Sequence, residues 1–289
     1  MKAPRFDYRL ARTSQEAFEL LAQPGKDVRV LAGGQSLIAA LNLRLSQPDL
    51  LVDISRVVDW KGIGQTSAGL TIGALTTHAQ IACSAHVRGH VPLLALAAPF
   101  IAHPAIRNSG TLGGSVCLAD PAAEWPACLI ALGATMRLER SDGMRKIPAL
   151  NFFRGLYETA LEPGEILTGV ELPAREPDEI HLFDEFARRP GDFAIAGLAM
   201  SVRFEKARIA KLNLGFLGVG STPLSAPRLA QACMGLSAAE AGLLAKQTLA
   251  EEIEPSSDHH ASADYRVHLA QVLMGRLLTR AAQQMEQAS

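Results

Sequence analysis

Two glycine pairs constrain this chain more than any other feature: Leu31-Ala32-Gly33-Gly34-Gln35-Ser36-Leu37 and Asn108-Ser109-Gly110-Thr111-Leu112-Gly113-Gly114-Ser115. Each joins an apolar run to a further ordered segment. Adjacent glycines let the backbone come close to a ligand, and successive N–H groups in such turns form an anion-binding concavity. Neither segment has the glycine order of a dinucleotide fingerprint or a P-loop. Two cradles in one chain suit a long ligand with two phosphates.

The remaining composition narrows the partner. With 289 residues, 48% of them hydrophobic and 20% charged, the chain can build two domains with their own cores. Its 28 Lys+Arg against 29 Asp+Glu leave a formal net charge of -1, and no basic stripe interleaved with aromatics appears, so nucleic acid is not the expected partner. Met1 to Leu10 holds charges and no apolar signal core, and no apolar run is long enough to span a membrane, so a cytoplasmic location is expected. Cys83, Cys117, Cys128 and Cys233 lie inside apolar segments without CxxC pairs. They are expected to be buried, reduced thiols rather than ligands of an iron–sulfur cluster in this chain.

Strands and helices are expected to alternate in the first half: strands over 28–31, 50–54 and 70–74, and a helix over 37–45 with Ser36 as its N-cap. A second helix is expected from a Thr76 or Thr77 cap through Ala85, a third over 93–100, and a fourth from Asp120-Pro121 to about Leu132. Strands over 135–138 and 166–172 flank Pro148 to Phe153 and the turn Glu162-Pro163-Gly164. The proline- and charge-rich stretch Pro173 to Asp178 marks a domain boundary. Beyond it, strands over 194–204 and 211–219 precede helices over 226–234, 238–250 and 265–284, a small α+β domain with its helices gathered late.

Five motifs in this order resemble the flavin-binding medium subunit of the xanthine dehydrogenase family, the molybdenum hydroxylases that include carbon monoxide, nicotine, quinoline and caffeine dehydrogenases. They are Ala32-Gly33-Gly34-Gln35-Ser36; Thr71-Ile72-Gly73-Ala74-Leu75-Thr76; Arg107 to Gly114 with Ala119-Asp120-Pro121-Ala122-Ala123-Glu124; Pro163-Gly164-Glu165-Ile166-Leu167; and Arg188-Arg189-Pro190-Gly191-Asp192-Phe193-Ala194. The resemblance implies an α+β chain with an FAD-binding domain of p-cresol methylhydroxylase type over residues 1–175, in two α/β subdomains of about 1–55 and 56–175. A smaller C-terminal domain of CO dehydrogenase flavoprotein type follows over 180–289. It also implies non-covalent FAD and two partners, an iron–sulfur small subunit with 2Fe-2S clusters and a molybdopterin large subunit, in a dimer of heterotrimers. Electrons pass from the clusters through FAD to NAD, a quinone, dioxygen or another acceptor.

The N–H groups of Gly33, Gly34, Gln35 and Ser36, flanked by Leu31, Ala32 and Leu37, are candidates to hold the pyrophosphate; a simple tight turn is the alternative. Thr111, Leu112, Gly113, Gly114 and Ser115 are the second candidate set, with the two hydroxyls as additional donors. By resemblance, Glu124 accepts hydrogen bonds from cofactor hydroxyls, Ile101 and Ala102 pack on the cofactor, and Leu167 and Phe193 lie near the flavin ring. Core packing is the alternative for Ile101, Ala102, Leu167 and Phe193, and a first-turn acid on the helix dipole is the alternative for Glu124. Some relatives carry His where this chain has Gln35, so neither a titrating group nor a covalent flavin link is expected there. Arg188 and Arg189 could guide an anionic acceptor or line a subunit contact. His86 and His90 are expected in a loop without a third metal ligand, His259-His260 exposed, and Gly215, Gly218 and Gly220 as aids to tight strand packing. No residue is expected to perform acid–base or nucleophilic catalysis. A self-sufficient flavin oxidase or reductase and a cofactor-less interaction subunit remain alternatives.

Overall fold

The computed structural model describes residues 2–288. The chain begins with β1 (Asp7–Leu10), α1 (Ser14–Leu21), β2 (Val28–Leu31), α2 (Leu37–Asn42) and β3 (Leu50–Asp53). Central β3 pairs in parallel with β1 and β2, and its Leu50, Leu51 and Val52 are buried. Thr13 caps α1 by accepting the Glu16 N–H, a donor that a helix start would otherwise leave unpaired.

The next stretch holds β4 (Ile63–Thr66), β5 (Gly69–Gly73), α3 (His78–Cys83), α4 (Ala85–His90), α5 (Pro92–Ala97), α6 (Pro104–Ser109), α7 (Leu112–Leu118) and α8 (Glu124–Ala131). After these come β6 (Thr135–Arg140), β7 (Gly143–Pro148), β8 (Phe153–Gly155), β9 (Glu158–Thr159) and β10 (Ile166–Pro173). A five-stranded sheet runs β4-β5-β10-β6-β7, with β10 antiparallel to both β5 and β6. Every residue of α8 is buried, so this helix is apolar nearly all round and serves as a central core element.

The last part comprises β11 (Ile180–Phe186), β12 (Ala196–Glu205), β13 (Arg208–Leu217), α9 (Pro227–Ala232), α10 (Ala238–Thr248) and α11 (Ala263–Ala288). Its antiparallel sheet is buried on both faces. Leu182, Leu198, Met200, Leu214 and Phe216 share a core with Ala241, Ala245, Leu273 and Leu277 of α10 and α11. Phe183, Ala199 and Leu217, on alternate positions, join the core around α8 instead. A Cβ at Gly215 would lie 2.0 Å from the Ala127 carbonyl oxygen, so only glycine lets α8 come this close to β13. The close approach eased here is helix on sheet rather than strand on strand. Beside it the Gly218 N–H, at φ +75°, donates to the Pro121 carbonyl at 2.8 Å.

Several expected boundaries shift for local reasons. Helix α2 ends at Asn42 because Arg44 turns left-handed at φ 58° and the Leu45 N–H returns to the Ala40 carbonyl. Ser36 is itself helical in φ/ψ and its hydroxyl makes no capping bond. Thr77 caps α3 in a capping box with Gln80, but Ser84 interrupts the expected helix and caps α4, which places His86 and His90 on a helix and not in a loop. The fourth helix starts at Glu124, because the Asp120 carboxylate accepts the Ala122 N–H and closes a turn over Pro121. Cys128 and Cys233 are buried as expected, whereas Cys83 is exposed and Cys117 half-buried. Strands β1, β4, β7, β8, β9 and β11 and helices α1, α6 and α7 are additions to the expected pattern.

Candidate functional site

At the end of β2 the chain turns sharply through Gly34, at φ +72°, and enters α2. The Gln35 amide donates to the Gly33 carbonyl at 2.9 Å and the Ile38 N–H to the Gly34 carbonyl at 3.1 Å, which fixes the turn. The N–H groups of Gly33, Gly34, Gln35 and Ser36 meet no acceptor among the described residues. Four successive free amides at a strand-to-helix turn make a concavity suited to an anion. A Cβ at Gly33 would lie 2.2 Å from the Ser109 carbonyl oxygen and 2.9 Å from Gly110 Cα, so the cradle is pressed against the second glycine segment. Leu31, Ala32 and Leu37 flank it, half-buried.

The second segment is a helix start and not a free turn. The Leu112 N–H donates to Thr76 O at 3.0 Å, Gly113 to Ala74 O at 2.8 Å, Gly114 to Thr111 Oγ1 at 3.1 Å and Ser115 to Thr111 O at 3.1 Å. All four amides are occupied, and a Cβ at Gly113 would lie 2.6 Å from that of Ala74. Leu112 has no exposed surface and sits in the core, as does Leu167 at 2%. The open surface of this segment is Gly114, with Ser115 half-buried beside it and Thr111 buried.

A third wall is built by Arg107, which sequence reasoning did not single out. Its guanidinium donates to the carbonyls of Pro99, Ile101 and Ala102 at 3.2, 2.8 and 2.7 Å. These bonds hold Ala102 in the left-handed region at φ 41°, a conformation costly for alanine. The Arg188–Phe193 loop comes against the same wall: a Cβ on Gly191, at φ +84°, would lie 3.0 Å from the His103 ring and 3.1 Å from Ala102 O. Phe193 at the loop's end is 72% exposed, which excludes the core alternative. Arg188 reaches His260 at 3.3 Å, and His259 and His260 are exposed as expected.

The N-terminus of α8 lies behind the second glycine segment, joined to it through His78. Glu124 is buried, and burial followed by the charge of Asp120 raises its carboxyl to about 7. The neighbouring Trp125 indole donates to His78 Nδ1 at 2.8 Å. That bond puts the imidazole hydrogen on Nε2, beside Gly110. Burial, then the Arg107 charge, pushes His78 down to about 4, so it stands neutral behind the glycine segment. No sequence signal marks His78 beyond its place after the Thr77 cap. Among the described residues no free nucleophile is paired with a base here, and the free amides at Gly33–Ser36 suit an anion.

Residues 4–175 match the family described as the FAD binding domain in molybdopterin dehydrogenase, and residues 181–281 match the CO dehydrogenase flavoprotein C-terminal domain. The 6-hydroxypseudooxynicotine dehydrogenase complex subunit alpha of Paenarthrobacter nicotinovorans is 38% identical over 97% of this chain and 96% of its own. The carbon monoxide dehydrogenase medium chain of Hydrogenophaga pseudoflava is 34% identical over 97% and 98%. A solved structure of carbon monoxide dehydrogenase from Hydrogenophaga pseudoflava superimposes with a TM-score of 0.94 at 35% identity, over 97% of this chain and 98% of that one. No helix among the described residues is long and apolar enough to cross a membrane. With four free amides at the first glycine segment and these matches along nearly its whole length, the chain belongs to the FAD-binding medium subunits of the molybdopterin dehydrogenases, the xanthine dehydrogenase family, and is an oxidoreductase subunit whose cofactor is FAD.

Proposed function

We propose that this chain is the flavoprotein of a heterotrimeric molybdenum hydroxylase of the cytoplasm. It works with an iron–sulfur small subunit carrying 2Fe-2S clusters and a molybdopterin large subunit, in a dimer of heterotrimers. The observation that carries this reading is the row of free amides at Gly33, Gly34, Gln35 and Ser36 in a chain of this family. FAD supplies a carrier that accepts electrons from the clusters and releases them to NAD, a quinone, dioxygen or another acceptor.

The residues present fit that cofactor. The Gly33–Ser36 amides, near the start of α2, would hold the pyrophosphate, because N–H groups and the positive end of a helix both favour negative charge. Ser115 and Gly114 would meet it from the second segment. Ile101 and Ala102, shaped by Arg107, would line the cofactor through their main chain, and Leu112 and Leu167 would support it from the core. Glu124 would accept from its hydroxyls, and Phe193 would lie against the ring. Substrate hydroxylation belongs to the molybdenum subunit, so this chain's residues bind, orient and exclude water. The division into an FAD domain over 1–175, with p-cresol methylhydroxylase-type subdomains of about 1–55 and 56–175, and a C-terminal domain over 180–289 belongs to the same proposal.

The visible spectrum of the purified chain, before and after denaturation and filtration, tests the reading. Yellow colour that is released as FAD is expected. A colourless chain that also takes up no added FAD, alone or with its copurified partners, would refute it.

A further inference from the structure

The two glycine segments stack on the edge of one imidazole. A Cβ on Gly33 would lie 2.9 Å from Gly110 Cα, and a Cβ on Gly110 would lie 2.7 Å from His78 Nε2 and 2.9 Å from its Cδ2. One residue without a side chain therefore separates the ring from the segment that carries the four free amides. Any larger residue at 110 would push the imidazole away from that cradle.

The ring is held from two sides. The His78 N–H donates to the Gly110 carbonyl at 3.0 Å, and their neighbours Thr77 and Thr111 form an antiparallel bridge. On the core side the Trp125 indole, which has no exposed surface, donates to Nδ1 at 2.8 Å. With Nδ1 an acceptor, the ring hydrogen is carried by Nε2. That donor meets no acceptor among the described residues, although His78 is only 5% exposed. It is not sealed either: the fully buried side-chain atoms without a partner include both nitrogens of His181 but not His78 Nε2, which keeps a surface beside Gly110. A nearly buried donor, fixed in one tautomer, is costly unless a further group accepts from it. The neighbouring cation does not compete for such a group, because the Arg107 guanidinium is engaged by the carbonyls of Pro99, Ile101 and Ala102. Burial, then that charge, holds the imidazole neutral, so the same donor is present throughout the neutral pH range.

We propose that His78 is a further ligand of FAD, donating its Nε2 hydrogen to an oxygen of the cofactor's diphosphate. Trp125 is then a positioning residue, which keeps the ring in the donating tautomer. The proposal rests on the FAD reading above and adds a side-chain donor to a site otherwise built from main-chain amides.

The test is the FAD affinity of the full chain, by quenching of flavin fluorescence, for wild type, His78→Asn and His78→Gln, with the thermal midpoint of each apo chain. Asparagine offers Oδ1 where Nδ1 stood, so it keeps the Trp125 bond and loses the outer donor; glutamine places an amide N–H where Nε2 stood and leaves Trp125 without its acceptor. His78→Asn is expected to lose about tenfold or more in affinity while its apo midpoint stays above that of His78→Gln. His78→Gln is expected to bind within about threefold of wild type in spite of the lower midpoint. The ring ¹⁵N resonances of His78 in the wild type supply a measurement that needs no variant: the Nε2–H tautomer is expected with and without FAD, with the Nε2 signal moving as its hydrogen gains an acceptor. Affinity that follows the midpoint through both variants, affinity within about twofold of wild type in His78→Asn, or an Nε2 signal that FAD does not move makes His78 a structural residue only and leaves the FAD reading intact. A wild-type chain that takes up no FAD, alone or with its copurified partners, overturns both.

Discussion

The two glycine segments look alike in sequence and do opposite things with their backbone. At Gly33–Ser36 four amides stay free, and the glycines serve shape: Gly34 turns left-handed and Gly33 admits the Ser109 carbonyl. At Leu112–Ser115 every amide is bound, two of them to Ala74 and Thr76, and the Gly113 contact with Ala74 locks α7 onto the end of β5. One segment leaves its hydrogen-bonding capacity free and the other spends it on the fold. Glycine composition cannot separate these cases, since the donors of a cradle and of a capped helix start are the same atoms; what differs is whether an acceptor strand lies within reach.

That contrast breaks most directly at Gly33. Gly33→Ala places a methyl against a backbone carbonyl, and FAD affinity should fall by about a hundredfold or more, of order 3 kcal/mol, in a fluorescence titration. Gly113→Ala should instead lower the midpoint of the apo chain, by roughly 1–3 kcal/mol of stability, with affinity changed only as far as the fold loosens. Equal losses of affinity in the two variants would erase the distinction. Thr111→Val removes the cap of α7 and should cost about 1 kcal/mol in denaturant unfolding, leaving FAD affinity within severalfold. Gln35→Ala frees the Gly33 carbonyl and should weaken FAD by a few-fold, roughly 0.5–1 kcal/mol, without moving the midpoint. Gly114→Asp sharpens the picture further. A Cβ there would meet only Thr111 Oγ1, at 3.0 Å, so the fold should survive while the added charge weakens the pyrophosphate, by about tenfold or more at low salt.

The strand-to-helix turn at Gly33, the Thr77 cap and the late helices were legible in sequence because local chemistry decides them: an apolar run, a capping residue, a glycine at a left-handed position. The glycine segment at 110–115 read as a candidate site, but its helical form was not legible, because Thr111 caps α7 only once Ala74 and Thr76 have arrived to take the remaining amides. The Asp120 turn was misread for the opposite reason. Asp-Pro is a good helix start, yet the same carboxylate closes a turn as readily, and the contact of Pro121 with Gly218 settles which one forms. The roles of Arg107 and His78 left no local signature, because they come from carbonyls and an indole that are remote in sequence or meaningful only in three dimensions.

The close fit of the Ala127 carbonyl against Gly215 has an engineering consequence. A chimera that grafts the C-terminal sheet of one such flavoprotein onto the N-terminal portion of another must keep a bare backbone beneath α8, whatever else it exchanges. The transferable module is thus a sheet together with the footprint of one helix. Swapping at the sequence boundary while placing any larger residue at 215 would pry the joint open at its middle, and the damage would be felt at both ends of the helix.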